Sequence, residues 1–175
     1  MNMRIEDIVS ADLPGVSLAT RNYLSEAAVV CLERQQHKGG VIMDVQGDVS
    51  AAEPVCWNMP YTDQMDRSWF DQEVATEHGA CCLSILWAVQ NTPYTVIRRS
   101  RKKSGIDYWL GKKDSTLFQD AARLEVSGIF NGNSDSIDRR VKKKVQQSSQ
   151  SDGTKLPAYI SVVEFSSPTI HFHKK

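Results

Sequence analysis

The segment Ala158-Tyr159-Ile160-Ser161-Val162-Val163-Glu164-Phe165 constrains the fold more than any other. It is apolar at both odd and even positions, so a strand here must be buried on both faces. A second segment, Arg123-Leu124-Glu125-Val126-Ser127-Gly128-Ile129, alternates instead. Period two puts Leu124 and Val126 on one face and Arg123, Glu125 and Ser127 on the other. Tyr94–Arg99 is β-branched enough for a strand, and Ile106–Leu110 is another, entered through a Ser104-Gly105 turn. In the latter, Asp107 and Trp109 oppose Ile106, Tyr108 and Leu110. Residues 136–148 carry an Ile137, Val141, Val145 stripe with a basic opposite face, the pattern of an amphipathic helix.

Upstream, helices are expected over 72–91 and 16–37, the second stopped by Gly39-Gly40. Between them, strands are expected at 41–45 and 55–59 around a turn near Gly47-Asp48, giving a hairpin. With 175 residues the chain has the size of one domain with a full core. The division expected is an N-terminal helix and hairpin over 1–69 and a core over 70–166. The core order is α-β-β-β-α-β. The expected fold class is α/β (α+β), with a central mixed four-stranded sheet.

The formal net charge is zero, but the charges are segregated. Residues 1–93 hold 5 Lys and Arg against 13 Asp and Glu, whereas residues 94–175 hold 16 against 8. Such asymmetry points to a polyanion-facing surface in the second half. Arg98-Arg99, Arg101-Lys102-Lys103 and Arg139-Arg140-Val141-Lys142-Lys143-Lys144 supply it. No apolar run approaches the ~20 residues of a membrane span, and the first residues lack the apolar stretch of a secretory signal. A cytoplasmic protein with four reduced cysteines (31, 56, 81 and 82) is expected. No CxxC spacing suggests zinc.

The chemistry-bearing feature is an acid pair. A hairpin from 106–110 to 123–129 can bring Asp107 and Glu125 onto one polar face. Two adjacent carboxylates repel unless a proton or cation intervenes. Hard oxygen ligands suit Mg²⁺ or Mn²⁺, which keep waters and accept phosphate oxygens.

Gly105-Ile106-Asp107, followed 18 positions after the aspartate by Leu124-Glu125-Val126-Ser127, resembles the motif of the PD-(D/E)xK nuclease superfamily. The resemblance covers residues ~70–166. It implies a restriction-endonuclease-like core in which Asp107 and Glu125 hold Mg²⁺ or Mn²⁺. Glu77, near the start of the preceding helix, matches an acid that some members add to the metal site. The motif departs at its third position, where Ser127 stands in place of lysine. That lysine offsets developing charge or orients water. Lys142 or Lys143 on the following helix, Arg123 or Arg99 could supply the missing cation, and Lys142 is taken as the candidate.

The resemblance thus implies a metal-dependent nuclease with Asp107, Glu125, Ser127 and Lys142 at its centre, of a kind used in bacterial defence, repair or mobile elements. Arg99, Arg101, Lys102, Arg139, Arg140 and Lys143 are the expected nucleic-acid contacts. The alternative is an inactive nuclease-fold protein that binds nucleic acid or a partner protein, or pairs as a homodimer. Each residue also has a plainer reading. The basic helix face could be merely solvated, Trp109 could be core, and His171 and His173 could be a tail rather than metal ligands. No P-loop, GxGxxG, GxSxG or HExxH is present to support another enzyme class.

Overall fold

The computed structural model describes residues 2–175. In chain order these form β1 (Met3–Arg4), α1 (Asp7–Ser10), α2 (Leu18–Arg34), β2 (Val41–Gly47), β3 (Ala51–Cys56), α3 (Asp63–Ser68) and α4 (Gln72–Asn91). Then follow β4 (Tyr94–Arg99), β5 (Tyr108–Lys112), β6 (Ala122–Ile129), α5 (Ser134–Ser148), a 3₁₀ turn (Ser149–Thr154), β7 (Ala158–Glu164) and β8 (Thr169–Lys174). The run α4-β4-β5-β6-α5-β7 keeps the order read from the sequence.

The sheet is larger than expected. All eight strands join one mixed sheet in the order β1-β3-β2-β8-β7-β6-β5-β4, curled towards a half-barrel. This corrects the expectation of an α/β core on a four-stranded sheet beside a separate N-terminal hairpin. The fold is α+β, and the hairpin is a continuation of the same sheet. The physical reason is the C-terminal strand. β8 pairs antiparallel with β7 and parallel with β2, so it bridges the two halves. A buried strand must find partners for its backbone groups on both edges. β7 finds them in β6 and β8. The clue was the alternation of Ile170 and Phe172, both buried, with His171 and His173.

Covering elements explain the burial. α4 packs on β4, β6 and β7, with α2 against its other side, and α5 packs on β6 and β7. Leu124 and Val126 join the main core, whereas Ile129 and Val162 meet Ile137 of α5 in a second small cluster. β6 is therefore covered on both faces, and its polar set of Arg123, Glu125 and Ser127 is buried rather than exposed. The ends of the long helices are capped. Asp71 accepts from Glu73 and Val74 N–H ahead of α4, and Asn133 from Ser136 N–H ahead of α5.

The edge of β4 is closed by the loop after α1. Gly15 N–H donates to Val96 O at 2.9 Å, and Thr95 Oγ1 donates to Asp12 O at 2.5 Å. Arg21 of α2 holds that loop by donating to the carbonyls of Val9, Ala11, Leu13 and Val16. An edge strand so covered cannot template further pairing. Among the described residues, no helix is long and apolar enough to cross a membrane.

Glu164, the one acid in the doubly buried strand, has a structural task. Its carboxylate accepts from Gly132 N–H (3.0 Å), Ser166 N–H (2.8 Å), Ser166 Oγ (2.5 Å) and Ser167 N–H (2.7 Å). It thereby ties the loop after β6 to the turn between β7 and β8. Removing it leaves several part-buried donors without their acceptor, and a donor left unsatisfied costs about 1–3 kcal/mol when fully buried. Glu164→Ala is expected to lower unfolding stability by about 3 kcal/mol in urea denaturation. A loss below about 0.5 kcal/mol would show that water replaces the carboxylate without cost.

Candidate active site

The site forms where β5 and β6 part. Their ladder has only three pairs, from Leu110↔Ala122 to Tyr108↔Leu124. β6 runs on to Ile129, paired only with β7 on its other side. Continuing the antiparallel register by one residue brings Asp107 opposite Glu125. Asp107 sits at that junction. Its N–H donates to Leu124 O at 2.9 Å, and its carbonyl accepts from Ser100 N–H at 2.7 Å. Its side chain then takes over from the backbone: Oδ2 accepts from Val126 N–H at 2.8 Å. Beyond this point a notch opens in the sheet, and side chains from α4 on one face and α5 on the other reach a common space.

Two clefts meet at Asp107. The larger, about 670 Å³, is flanked by Glu73 and Glu77 of α4, by Ser127 and Asn131 after the notch, and by Arg140 and Lys144 of α5. The second, about 430 Å³, is lined by Arg99, Arg101, Lys102 and Lys103 together with Asp107, Glu125, Lys144 and Gln147. Gly105 makes the second cleft's wall possible. Its φ is +78°, and a Cβ there would stand 2.3 Å from Gln147 O, so only glycine lets this loop lie on α5. Gly128 does the same on the other face, where a Cβ would stand 2.4 Å from Thr76 O of α4.

Glu125 is the most constrained group of the site, with its side chain only 1% exposed. Oε1 accepts from Lys144 Nζ at 2.6 Å and from Gln147 Nε2 at 2.9 Å. Oε2 is buried and receives no hydrogen bond among the described residues. Burial first, and then the Asp107 carboxylate beside it, push the Glu125 carboxyl up to about 8, against the pull of Lys144. The pair is thus one positive charge short, the condition that favours a proton or a cation between carboxylates. Deeper in, the Cys81 thiol is pushed up to about 12 by burial and by Asp107, and burial raises the neighbouring Tyr108 hydroxyl as well.

The other expected residues fall as follows. Ser127 Oγ accepts from Arg140 at 2.7 Å, so the motif's third position is bound to a cation rather than being one. Lys142 and Lys143 are exposed on the outer side of α5, as is Arg139, which reaches Ser136. The lysine at the acid pair is Lys144, which the sequence reading passed over. The helical spacing held the signal: Arg140, Lys144 and Gln147 recur at i, i+4 and i+7 on one face.

Arg123, a candidate replacement cation, is committed elsewhere. It donates to Leu156 O, Ser151 Oγ and Asp152, fixing the 3₁₀ turn. Arg99, Arg101 and Lys102 line the second cleft. Glu77 opens on the first cleft but is exposed. Among the described residues, no three His, Cys, Asp or Glu side chains are grouped closely enough to hold one ion. Glu77 therefore does not complete a three-acid cluster with Asp107 and Glu125. His173 pairs with Asp48 at 2.9 Å, and Trp109 stacks under the Arg98 guanidinium.

Comparison with known proteins gives no identity: no family model matches the chain, and no curated protein or solved structure matches it either.

Glu125 also sets a pH dependence. A carboxyl raised from 4.5 to about 8 holds its proton in the folded state where the unfolded chain has lost it. Folding then binds the extra proton between these values, so stability is highest below about pH 4.5 for this group and falls as pH rises to about 8. At ~1.4 kcal/mol per pH unit, the loss is about 5 kcal/mol at most. Glu125→Gln is expected to flatten that slope and to be more stable than the parent at pH 9, measured by denaturant unfolding across pH. An unchanged slope would show that the carboxylate stays ionised on Lys144.

Proposed function

We propose that the chain is a metal-dependent phosphodiesterase acting on nucleic acid, with Asp107, Glu125 and Lys144 at its centre. The observation that carries this reading is the carboxylate pair of half-buried Asp107 and buried Glu125, with an unpartnered Glu125 Oε2, set between a basic cleft and a lysine. Its chemistry fits Mg²⁺ or Mn²⁺, which need only one or two carboxylates when waters and substrate phosphate complete the shell. Asp107 and Glu125 Oε2 would hold the ion, and bound there it would supply positive charge to a phosphate oxygen and a more acidic water.

The chain's own groups do the rest. Val126 N–H fixes the Asp107 carboxylate, and Gln147 and Lys144 fix that of Glu125. Lys144 brings to the acid pair the positive charge absent at Ser127, where it can offset charge developing on the phosphoryl group. Arg101, Lys102 and Lys103 are exposed and, among the described residues, make no ion pair. Their charge is free for backbone phosphates, and the binding should weaken steeply with salt. The acidic rim of Glu73 and Glu77 on the opposite cleft disfavours a phosphate backbone there, which orients the strand.

One feature favours the second reading, a binding protein without catalysis: among the described residues no third acid joins the pair, and Lys144 already meets one of its oxygens. A single set of measurements separates the two. Cleavage of single- and double-stranded DNA and RNA with Mn²⁺ or Mg²⁺ is expected. Asp107→Asn and Lys144→Ala should each reduce the rate by 100-fold or more (on the scale of about 2.7 kcal/mol in the barrier). Lys142→Ala, on the outer side of α5, should change it less than about 2-fold. Salt-dependent nucleic-acid binding without Mn²⁺ uptake in calorimetry and without cleavage would establish the non-catalytic reading. Cleavage unaffected by both site substitutions would overturn the site itself.

A further inference from the structure

A third cleft, of about 370 Å³, lies between α2 and α4 and is lined by Ala19, Thr20, Tyr23, Leu24, His78 and Arg99. Its wall is aromatic. The Tyr23 ring lies 4.4 Å from Trp69 and 5.0 Å from His78, centroid to centroid. Trp69 is buried and anchored by its Nε1–H, which donates to Glu26 at 2.8 Å. Tyr23 nevertheless leaves 47% of its surface exposed. His78 Nδ1 is buried and has no hydrogen-bond partner among the described residues. Arg99 closes the cleft, and the same residue lines the basic cleft beside Asp107 and Glu125.

We propose that this cleft takes one unpaired nucleobase of a single-stranded nucleic acid whose backbone runs over Arg99 into the basic cleft. The inference rests on the phosphodiesterase reading of the acid pair and adds the substrate class. An aromatic face beside a guanidinium is the arrangement on which unstacked bases bind without regard to sequence. A base inside a duplex presents no free face to such a platform. The volume suits one planar ring system rather than an amphipathic helix. The shared Arg99 gives charge continuity with the phosphate-facing residues, which an apolar peptide would not use.

Fluorescence anisotropy of the full chain with a labelled short oligo-dT, at fixed low salt, tests this. Tyr23→Ala is expected to weaken binding about 10-fold. Tyr23→Phe should restore it, since the ring rather than the hydroxyl does the stacking. A strand of the same length made abasic throughout should bind the parent more weakly and show no Tyr23 effect. A matched duplex should bind at least about 10-fold more weakly than the single strand.

Unchanged affinity in Tyr23→Ala, or an equal loss on the abasic strand, overturns the base pocket. Equal affinity of the parent for duplex and single strand also overturns it, because the cleft would then serve another partner, such as a protein segment. Cleavage that depends on Asp107 and Lys144 together with Tyr23-independent binding overturns the pocket and leaves the phosphodiesterase reading intact. Failure of any oligonucleotide to bind overturns both.

Discussion

A carboxylate buried in the middle of a sheet needs compensation, and the neighbourhood of Glu125 is built around that need. β6 is covered by α4 on one face and by α5 on the other, so Glu125 cannot turn to water. Lys144 and Gln147 satisfy one oxygen and so tie α5 to β6. The second oxygen is buried without a partner among the described residues, and Asp107 stands beside the carboxyl. Natural cores pair their charges or hydrogen-bond them fully, since an unpaired buried charge costs several kcal/mol. A half-satisfied pair at the junction of two clefts is therefore more naturally read as a site than as a stabilising contact.

The second constraint is the short ladder between β5 and β6. Had the two strands paired along their whole length, α4 and α5 would be sealed off from each other by the sheet. The ladder stops at Tyr108↔Leu124 because the Asp107 side chain takes the next N–H, that of Val126. The notch this opens lets Glu77 of α4 and Lys144 of α5 border one space although they lie on opposite sides of the sheet. Gly105 and Gly128, where any side chain would collide with backbone, allow the helices to approach closely enough to wall it. The charge lining the two clefts divides accordingly, with basic residues on the β4–β5 loop side and acidic ones on the α4 side.

Much of the site was legible in the residues. Asp107 and Glu125 could be paired from strand periodicity and hairpin order alone, and the basic loop at 99–103 from its composition. Lys144 was not singled out, because 142, 143 and 144 are all lysine and the choice among them depends on the rotation of the helix. That rotation is set by Ile137 and Val141 packing against Ile129 and Val162, contacts between segments distant in the chain. Arg123 failed as a replacement cation for a similar reason: its partners are in the 3₁₀ turn some 28 residues later. The aromatic cleft was invisible, since Tyr23, Trp69, His78 and Arg99 come from four separated stretches.

The amino-acid sequence by itself determined the local elements and the acid pair. β-branched content identified the strand at 94–99, a continuous apolar run the strand at 158–165, and helical spacing the helices at 16–37 and 72–91, because each signal depends on neighbouring residues only. It did not determine how many strands share the sheet. Parallel pairing of β8 with β2, more than 120 residues apart, leaves no local mark. It follows from the unsatisfied edge of β7 and from the burial of Ile170 and Phe172. Whether a polar strand face meets water or a helix was equally a tertiary decision. It buried Glu125, expected only on a polar strand face, and with that burial came the raised proton affinity and the need for Lys144.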